Sequence, residues 1–111
     1  MDCIFCQIVE GKIPSQTVYG DEEVIAFRDI NPQAPVHLLI IPRKHIPSLA
    51  QLEEPTLIAH MVDVASRLAK EEGVFERGYR LAISCGREGG QVVPHLHMHL
   101  IGGRRLSDKL G

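Results

Sequence analysis

The chain has 111 residues, of which 44% are hydrophobic and 23% charged, which is the composition of an ordinary soluble globular protein with a modest core. Its formal net charge of -2 at pH 7 gives no support for a nucleic-acid partner or an anionic membrane surface, and no apolar run approaches the length of a membrane span. Three cysteines and an N-terminus without a basic region argue against a disulfide-rich secreted protein. We therefore expect a single domain over residues 1–111, in the cytoplasm.

The first half of the chain predicts three strands. Thr17–Tyr19 and Glu23–Arg28 are rich in β-prone residues, and a glycine–aspartate pair between them suits the turn of a hairpin. Two prolines make residues 31–35 a loop, because proline cannot donate to a strand ladder. The following run, Val36–Ile41, is almost continuously apolar and predicts a buried strand.

The second half predicts helices and two further strands. Residues 46–52 suggest a short helical turn, and apolar residues recur at helical spacing through Pro55–Glu72. Tyr79–Ser84 and the run from His95 to Gly102 predict strands, with a glycine-rich loop between them. We therefore expect an α+β fold, in which an antiparallel sheet of about five strands carries one long helix on a face and the chain adds one short helix.

Three histidines alternate with apolar residues in the last predicted strand, so we expect them on the face of the sheet opposite the long helix. They are His95, His97 and His99, and the first and last would be about 13 Å apart at Cα. One metal ion holds its ligand atoms at about 2 Å, so three imidazoles on a straight strand cannot easily share it. We therefore expect the three histidines to divide between different tasks.

The loop before the histidines suggests a phosphorus ester. Gly89 and Gly90 leave room for an anion and allow backbone N–H groups to point at it. A neutral imidazole can attack phosphorus, and neighbouring imidazolium groups can protonate the leaving group. The sequence has no P-loop and no carboxylate cluster near the histidines, so we expect this chemistry to need no Mg²⁺. His37 interrupts an apolar strand and is either a satisfied core residue or a partner of these histidines.

Four segments resemble the histidine-triad (HIT) superfamily, and within it the Hint branch of nucleotide hydrolases. They are CIFCQIVEGKIPS, AFRDINPQAPVHLLIIPRKHI, GYRL and GGQVVPHLHMHLIGGR, the last of which contains the His-φ-His-φ-His-φ-φ signature. The resemblance implies a HIT-like fold and a homodimer that binds purine nucleotides and cleaves nucleoside phosphoramidates through a covalent nucleotidyl-histidine intermediate. It implies neither a nucleic acid nor a membrane as a partner.

The resemblance also implies roles for individual residues. His97 matches the nucleophile, with His99 and His37 as the flanking phosphate and proton-handling residues. The chain departs from the branch at Val92 and Ser84, where serine and asparagine are common, and this leaves the preferred leaving group open. The implied substrate contacts are Asp29 for the ribose hydroxyl groups, Ile4, Phe5, Ile8, Phe27 and Ile30 for the base, and Ser84, Gly90, Gln91 and the backbone N–H of Val92 around the phosphate.

The Cys3-x-x-Cys6 pair is by itself ambiguous between a metal site and a redox pair. Zinc prefers four nitrogen or sulfur ligands, and the resemblance supplies His45 and His95 as the other two. A closed shell of four ligands favours a structural zinc over a catalytic one. Three other functions stay open: a dinucleoside polyphosphate hydrolase or nucleotidyl transferase with the same intermediate, a non-catalytic nucleotide-binding protein, and a histidine-ligated metal hydrolase.

Overall fold

The protein folds as an antiparallel sheet with helices on both faces, in a computed structural model that describes residues 3–111. The elements are α1 (Ile4–Val9), β1 (Thr17–Gly20), β2 (Val24–Arg28), β3 (Val36–Pro42), a 3₁₀ turn (Leu49–Gln51), α2 (Thr56–Glu71), β4 (Tyr79–Ala82) and β5 (Met98–Gly102). The five strands follow the order β1-β2-β3-β5-β4, and every neighbouring pair is antiparallel. This confirms the predicted α+β class and strand number. Within the described residues, no helix is long and apolar enough to cross a membrane.

The long helix α2 packs on one face of the sheet and forms the main core with it. The helix ends where the sequence predicts, since Pro55 is its N-cap and Glu72 its C-cap. Gly73 follows with φ +77°, a left-handed conformation that glycine adopts without a Cβ clash. As predicted, Met98 and Leu100, which flank His99 in the last strand, face this core. Its buried members are Val24, Ala26, Leu38, Ile40, Met61, Val64, Ala65, Leu68, Ala69, Val74, Met98 and Leu100.

A second, smaller cluster lies on the opposite face, where α1 packs. The sequence analysis missed this helix, because six residues are too few to show a helical period. Cys3 is its N-cap, and the Cys3 Sγ atom accepts a hydrogen bond from the Cys6 N–H at 3.4 Å. The two cysteines therefore lie in the first turn of a short helix. The buried members of the cluster are Cys3, Phe5, Cys6, Ile25, Phe27, Leu39 and Ile41.

The last strand is shorter than predicted, and this corrects the prediction for the three histidines. It begins at Met98, so His99 lies in the strand whereas His95 and His97 precede it. The Leu96 N–H donates to the carbonyl of Ile46 at 2.7 Å, outside the sheet, so residues 95–97 do not continue the ladder.

The β2–β3 connection brings two further polar residues to the same region. The Asp29 N–H donates to the His37 carbonyl at 3.0 Å, so these residues lie at the base of the connecting loop. Leu39 pairs with His99 across β3 and β5, and side chains two residues apart on a strand share a face. His37 and His99 are therefore diagonal neighbours on the face that carries α1.

Candidate active site and metal centre

A cavity of about 480 Å³ opens on the α1 face of the sheet. Three histidines, His37, His97 and His99, line it together with Asp29. The other walls are mostly apolar, which is typical of a small-ligand site with a few polar groups that orient the ligand. The apolar lining residues are Ile4, Phe5, Ile8, Ile13, Pro14, Phe27, Ile30, Leu39, Val92 and Val93.

The hydrogen bonding of His97 fixes which ring nitrogen carries its proton. The His97 Nδ1 atom lies 2.7 Å from the carbonyl oxygen of His95. A carbonyl can only accept, so Nδ1 is the donor, and the neutral ring keeps a lone pair at Nε2. Phe5 packs edge-on against the ring, with centroids 5.2 Å apart. The buried imidazole is therefore held in the tautomer that a nucleophile needs.

His37 and His99 form a hydrogen-bonded pair whose direction is also fixed. The Gln33 N–H donates to His37 Nδ1 at 3.0 Å, so His37 carries its proton on Nε2. That Nε2 atom lies 2.9 Å from His99 Nδ1 and 3.3 Å from Asp29 Oδ2. His37 therefore donates to His99, and neutral His99 keeps its own proton on Nε2. The pair presents one N–H donor of His99 for an anion.

The electrostatics of this pair favour two neutral rings. Burial, together with the nearby His97 and His37, lowers the pKa of His99 to about 4, although the Asp29 carboxylate opposes this shift. Burial also lowers the pKa of His37, although the Asp29 carboxylate opposes this. Both rings are therefore uncharged near neutral pH, as the direction of their hydrogen bond requires.

The side chains of Asp29, His37 and His99 also have the composition of a small cation site, and their ligand atoms lie within 4.8 Å of one another. A metal bound at His37 Nε2 would move the ring proton to Nδ1. That atom faces the Gln33 N–H, so two donors would then oppose each other. The hydrogen bonding therefore favours a histidine pair over a metal site at this position.

A second cluster, next to α1, has the geometry of a four-ligand metal site. The His95 Nδ1 atom lies 3.4 Å from Cys3 Sγ, 3.6 Å from Cys6 Sγ and 3.3 Å from His45 Nδ1. The distance from Cys6 Sγ to His45 Nδ1 is 3.2 Å. A tetrahedral zinc with usual bond lengths would hold such atoms about 3.3–3.8 Å apart. The separations therefore fit a tetrahedral metal site.

The outer contacts of His95 also suit a metal ligand. Its Nε2 atom donates to the Pro42 carbonyl at 2.8 Å, which leaves the lone pair on Nδ1 for a metal. Burial lowers the pKa of His95, which keeps the ring neutral, as a ligand must be. Four residues, Cys3, Cys6, His45 and His95, could thus hold a metal.

A family model described as the HIT domain matches residues 10–106. The chain belongs to the HIT domain family. It is similar to the purine nucleoside phosphoramidase of Escherichia coli (strain K12), which is 48% identical over 111 residues that cover 98% of this chain and 93% of that protein.

Solved HIT structures have the same fold. A HIT family hydrolase from Legionella pneumophila Philadelphia 1 has a TM-score of 0.95 and 46% identity, covering 99% of this chain and 100% of that one. A Zn-bound histidine triad family protein from Mycobacterium smegmatis has a TM-score of 0.83 and 37% identity, covering 100% of this chain and 81% of that one. The resemblance drawn from the motifs is therefore confirmed.

The structure brings most of the HIT site residues predicted from the sequence to the cavity. Ile30 and Val92 lie at its rim, because they line it while 94% and 88% exposed. The sequence analysis missed the backbone N–H of Gln33, since only the folded loop shows that it meets His37. The predicted residues that line the cavity are Ile4, Phe5, Ile8, Phe27, Asp29, Ile30, His37, Ser84, Gly90, Val92, His97 and His99.

Gln91 was predicted to lie around the phosphate of the substrate, but it does not line this cavity. Its side-chain amide donates to the carbonyls of Pro47 and Val93, at 2.7 and 3.0 Å. Its Oε1 atom accepts from the Gly86 N–H at 2.9 Å. These contacts engage the side chain in holding the glycine-rich loop, so we assign it that role in place of a direct phosphate contact.

The amides of the glycine-rich loop differ in their availability. The Gly90 N–H donates to Arg87, and the Gln91 N–H donates to Gly86, both within the loop. Among residues 3–111, the Val92 N–H has no hydrogen-bond partner. Of these three amides, Val92 therefore offers the free donor for an anion.

Proposed function

We propose that this protein is a purine nucleoside phosphoramidase that hydrolyses the P–N bond of a nucleoside phosphoramidate. The observation that carries the proposal is the fixed tautomer of His97, which leaves a lone pair on Nε2 at an apolar cavity large enough for a nucleoside. The 48% identity to the phosphoramidase of Escherichia coli supports the same conclusion.

The reaction proceeds in two steps. His97 Nε2 forms a bond to phosphorus, the P–N bond breaks, and the amine leaves with a proton that solvent supplies, while the Nε2–H of neutral His99 donates to a phosphate oxygen. Water then forms a bond to phosphorus in the nucleotidyl-His97 intermediate, its proton passes to solvent, and the bond from phosphorus to His97 Nε2 breaks. The products are the amine, the nucleoside monophosphate and free His97.

The remaining contacts position the nucleotide. The purine lies against the apolar wall that Phe5 and Phe27 help to form, where aromatic side chains offer large contact areas. Asp29 accepts from the ribose hydroxyl groups. Its Oδ1 atom already accepts from the Asn31 N–H at 2.8 Å, which fixes the orientation of the carboxylate. The His99 N–H and the Val92 N–H meet the charge on the phosphate, so the reaction needs no Mg²⁺.

His97→Ala tests the proposal. It should lower turnover by several orders of magnitude and still allow nucleoside monophosphate to bind, because the apolar wall is unchanged. Mass spectrometry of quenched wild-type reactions should show a nucleotidyl adduct on His97. His60→Ala is the matched control, since His60 lies on α2, hydrogen-bonds Asp21 and does not line the cavity. Full activity of His97→Ala would contradict the proposed nucleophile.

A comparison of substrates with the wild-type protein separates the proposal from its alternatives. Adenosine and guanosine phosphoramidates should turn over faster than dinucleoside polyphosphates. The reverse preference would favour a polyphosphate hydrolase or transferase with the same intermediate. Nucleotide binding without any turnover would favour a non-catalytic role.

We also propose that Cys3, Cys6, His45 and His95 hold a structural zinc. The ligand separations and the zinc-bound relative from Mycobacterium smegmatis support this assignment. When bound, the zinc would cross-link α1 to the segments that carry the two histidines and so stabilise this face of the sheet.

We propose that the protein is a homodimer. We also propose that the whole chain is one domain and that the protein is cytoplasmic. β4 is an edge strand with half-buried residues throughout, and an exposed edge can pair with a second copy. Val62 on α2 is 42% exposed and would add apolar area to such an interface.

A further inference from the structure

We propose that Arg104 is a positioning residue for His37, and through it for His99, in the reaction proposed above. Arg104 follows β5 and lies at the surface, outside the residues that line the cavity. The expected change in kcat rests on the proposed function, whereas the expected change in the tautomer of His37 can be measured without any substrate.

A chain of three hydrogen bonds connects Arg104 to the active histidines. The Arg104 Nη2 atom donates to the Gln33 carbonyl at 2.7 Å. The Gln33 N–H, on the other side of the same Cα atom, donates to His37 Nδ1 at 3.0 Å. His37 Nε2 then lies 2.9 Å from His99 Nδ1. Arg104 therefore restrains the residue whose amide selects the tautomer of His37.

Packing at the end of β5 supports the same restraint. Gly103 has φ +96°, and a Cβ atom built there would lie 2.9 Å from the Cβ atom of Pro35. The backbone that leaves β5 therefore lies directly against the loop of residues 31–35. β5 also carries His99, so Arg104 ties the loop to the strand that positions the acceptor of His37.

The loop needs this tether because its other bonds are local. The Gln33 side chain donates to the Asn31 carbonyl at 3.1 Å, and the Asn31 N–H donates to Asp29 at 2.8 Å. Both bonds lie within the β2–β3 connection and do not fix it relative to β5. Of the hydrogen bonds that Gln33 makes, the one from Arg104 is thus the one that ties it to the segment directly after β5.

Loss of the tether should affect the tautomer of His37. If the Gln33 N–H moves away, the Nδ1–H form of His37 becomes available. In that form His37 no longer donates to His99, although Asp29 still faces it. His99 Nε2 then loses its assigned proton, and the phosphate loses a fixed donor.

The experiment compares Arg104→Ala, Arg104→Lys and the matched control Arg105→Ala. Arg105 is the adjacent exposed arginine, and its side chain forms no hydrogen bond or ion pair within the described residues. Long-range ¹⁵N–¹H correlation spectra of the free protein report the tautomer of His37. Steady-state kinetics with a purine nucleoside phosphoramidate report kcat and KM. Arg104→Met keeps the aliphatic stem without the donors and replaces the alanine variant if that one does not fold.

The expected result is a mixed His37 tautomer in Arg104→Ala, with kcat lowered about two- to tenfold, the effect of one solvent-exposed hydrogen bond. KM should change little, because Arg104 does not line the cavity. Arg104→Lys retains a donor and should recover most of kcat and the single Nε2–H tautomer. Arg105→Ala should match the wild type in both measurements.

An unchanged tautomer in Arg104→Ala would overturn the inference, whether or not kcat falls. If the wild type hydrolyses no phosphoramidate, the proposed function fails. The spectra then still decide the role of Arg104, since a mixed tautomer supports it and a single tautomer refutes it.

Discussion

Val92→Thr tests whether the rim of the cavity faces the scissile phosphate. Threonine keeps the branched shape of valine and replaces one methyl group with a hydroxyl donor. A hydrogen bond to a charged group is worth about 1.5–3 kcal/mol when water is excluded. The Val92 side chain is 88% exposed, so water competes, and about 0.5–1.5 kcal/mol is the appropriate range. We therefore expect kcat/KM for phosphoramidates to rise about two- to twelvefold.

The assay is steady-state hydrolysis of an adenosine phosphoramidate by the wild type, Val92→Thr and Val92→Ala. The alanine variant removes both methyl groups without adding a donor, so it should give no gain. All three proteins should have similar melting temperatures, because an exposed side chain contributes little to stability. An equal gain in both variants would mean that the loss of an apolar methyl group, and not hydrogen bonding, explains the effect. An unchanged or lower kcat/KM in Val92→Thr would show that this position does not face the phosphate.

Three further predictions concern the metal, the pH dependence and the assembly. One zinc per chain should co-purify with the protein. The Cys6→Ala variant should lose this zinc, and its melting temperature should fall by about 4 °C for each 1 kcal/mol of lost stability. Elemental analysis that finds one zinc per chain in this variant would contradict the assignment. The pKa of His99 is about 4 in the folded protein and 6.5 in the unfolded chain, so the unfolded chain binds the extra proton first as the pH falls. The contribution of His99 to the free energy of unfolding is full above pH 6.5 and declines toward pH 4, and urea unfolding should show a loss of about 2 kcal/mol between pH 7 and 5. His99→Gln should lack this loss. An identical pH dependence of the two zinc-loaded proteins would refute the prediction. Light scattering should give twice the chain mass of 12.3 kDa, whereas a monomer at micromolar concentration would contradict the dimer.

Long or strongly patterned elements could be predicted from the sequence, and short ones could not. The apolar period of α2 and the continuous apolar run of β3 gave element bounds within one residue of the observed ones. α1 has six residues, fewer than two turns, so no period can develop in it. Its helical state follows from tertiary packing of residues such as Phe5 on the sheet.

In the site, the residue types could be predicted from the sequence, whereas the contacts between them could not. Histidine spacing predicted separate tasks for the three imidazoles, and the structure places His95 in the cluster with the two cysteines and His97 and His99 in the lining of the cavity. The contacts that decide protonation could not be predicted, because they join residues distant in the chain or depend on loop conformation. Gln91 shows this limit: the residue type suits a phosphate, yet its amide bonds the carbonyls of Pro47 and Val93.

The error in the last predicted strand has a functional reason. In a regular strand, the His95 carbonyl would point along the sheet toward a neighbouring strand and not toward the side chain of His97. Residues 95–97 instead leave the ladder, and the His95 carbonyl accepts from His97 Nδ1 at 2.7 Å. The same residue directs Nδ1 to the two cysteines and His45, and Nε2 to the Pro42 carbonyl. His95 would therefore hold the proposed zinc through its ring and the proposed nucleophile, His97, through its backbone. A continuous strand would keep the alternating pattern of the sequence and lose the bond that exposes the lone pair of His97.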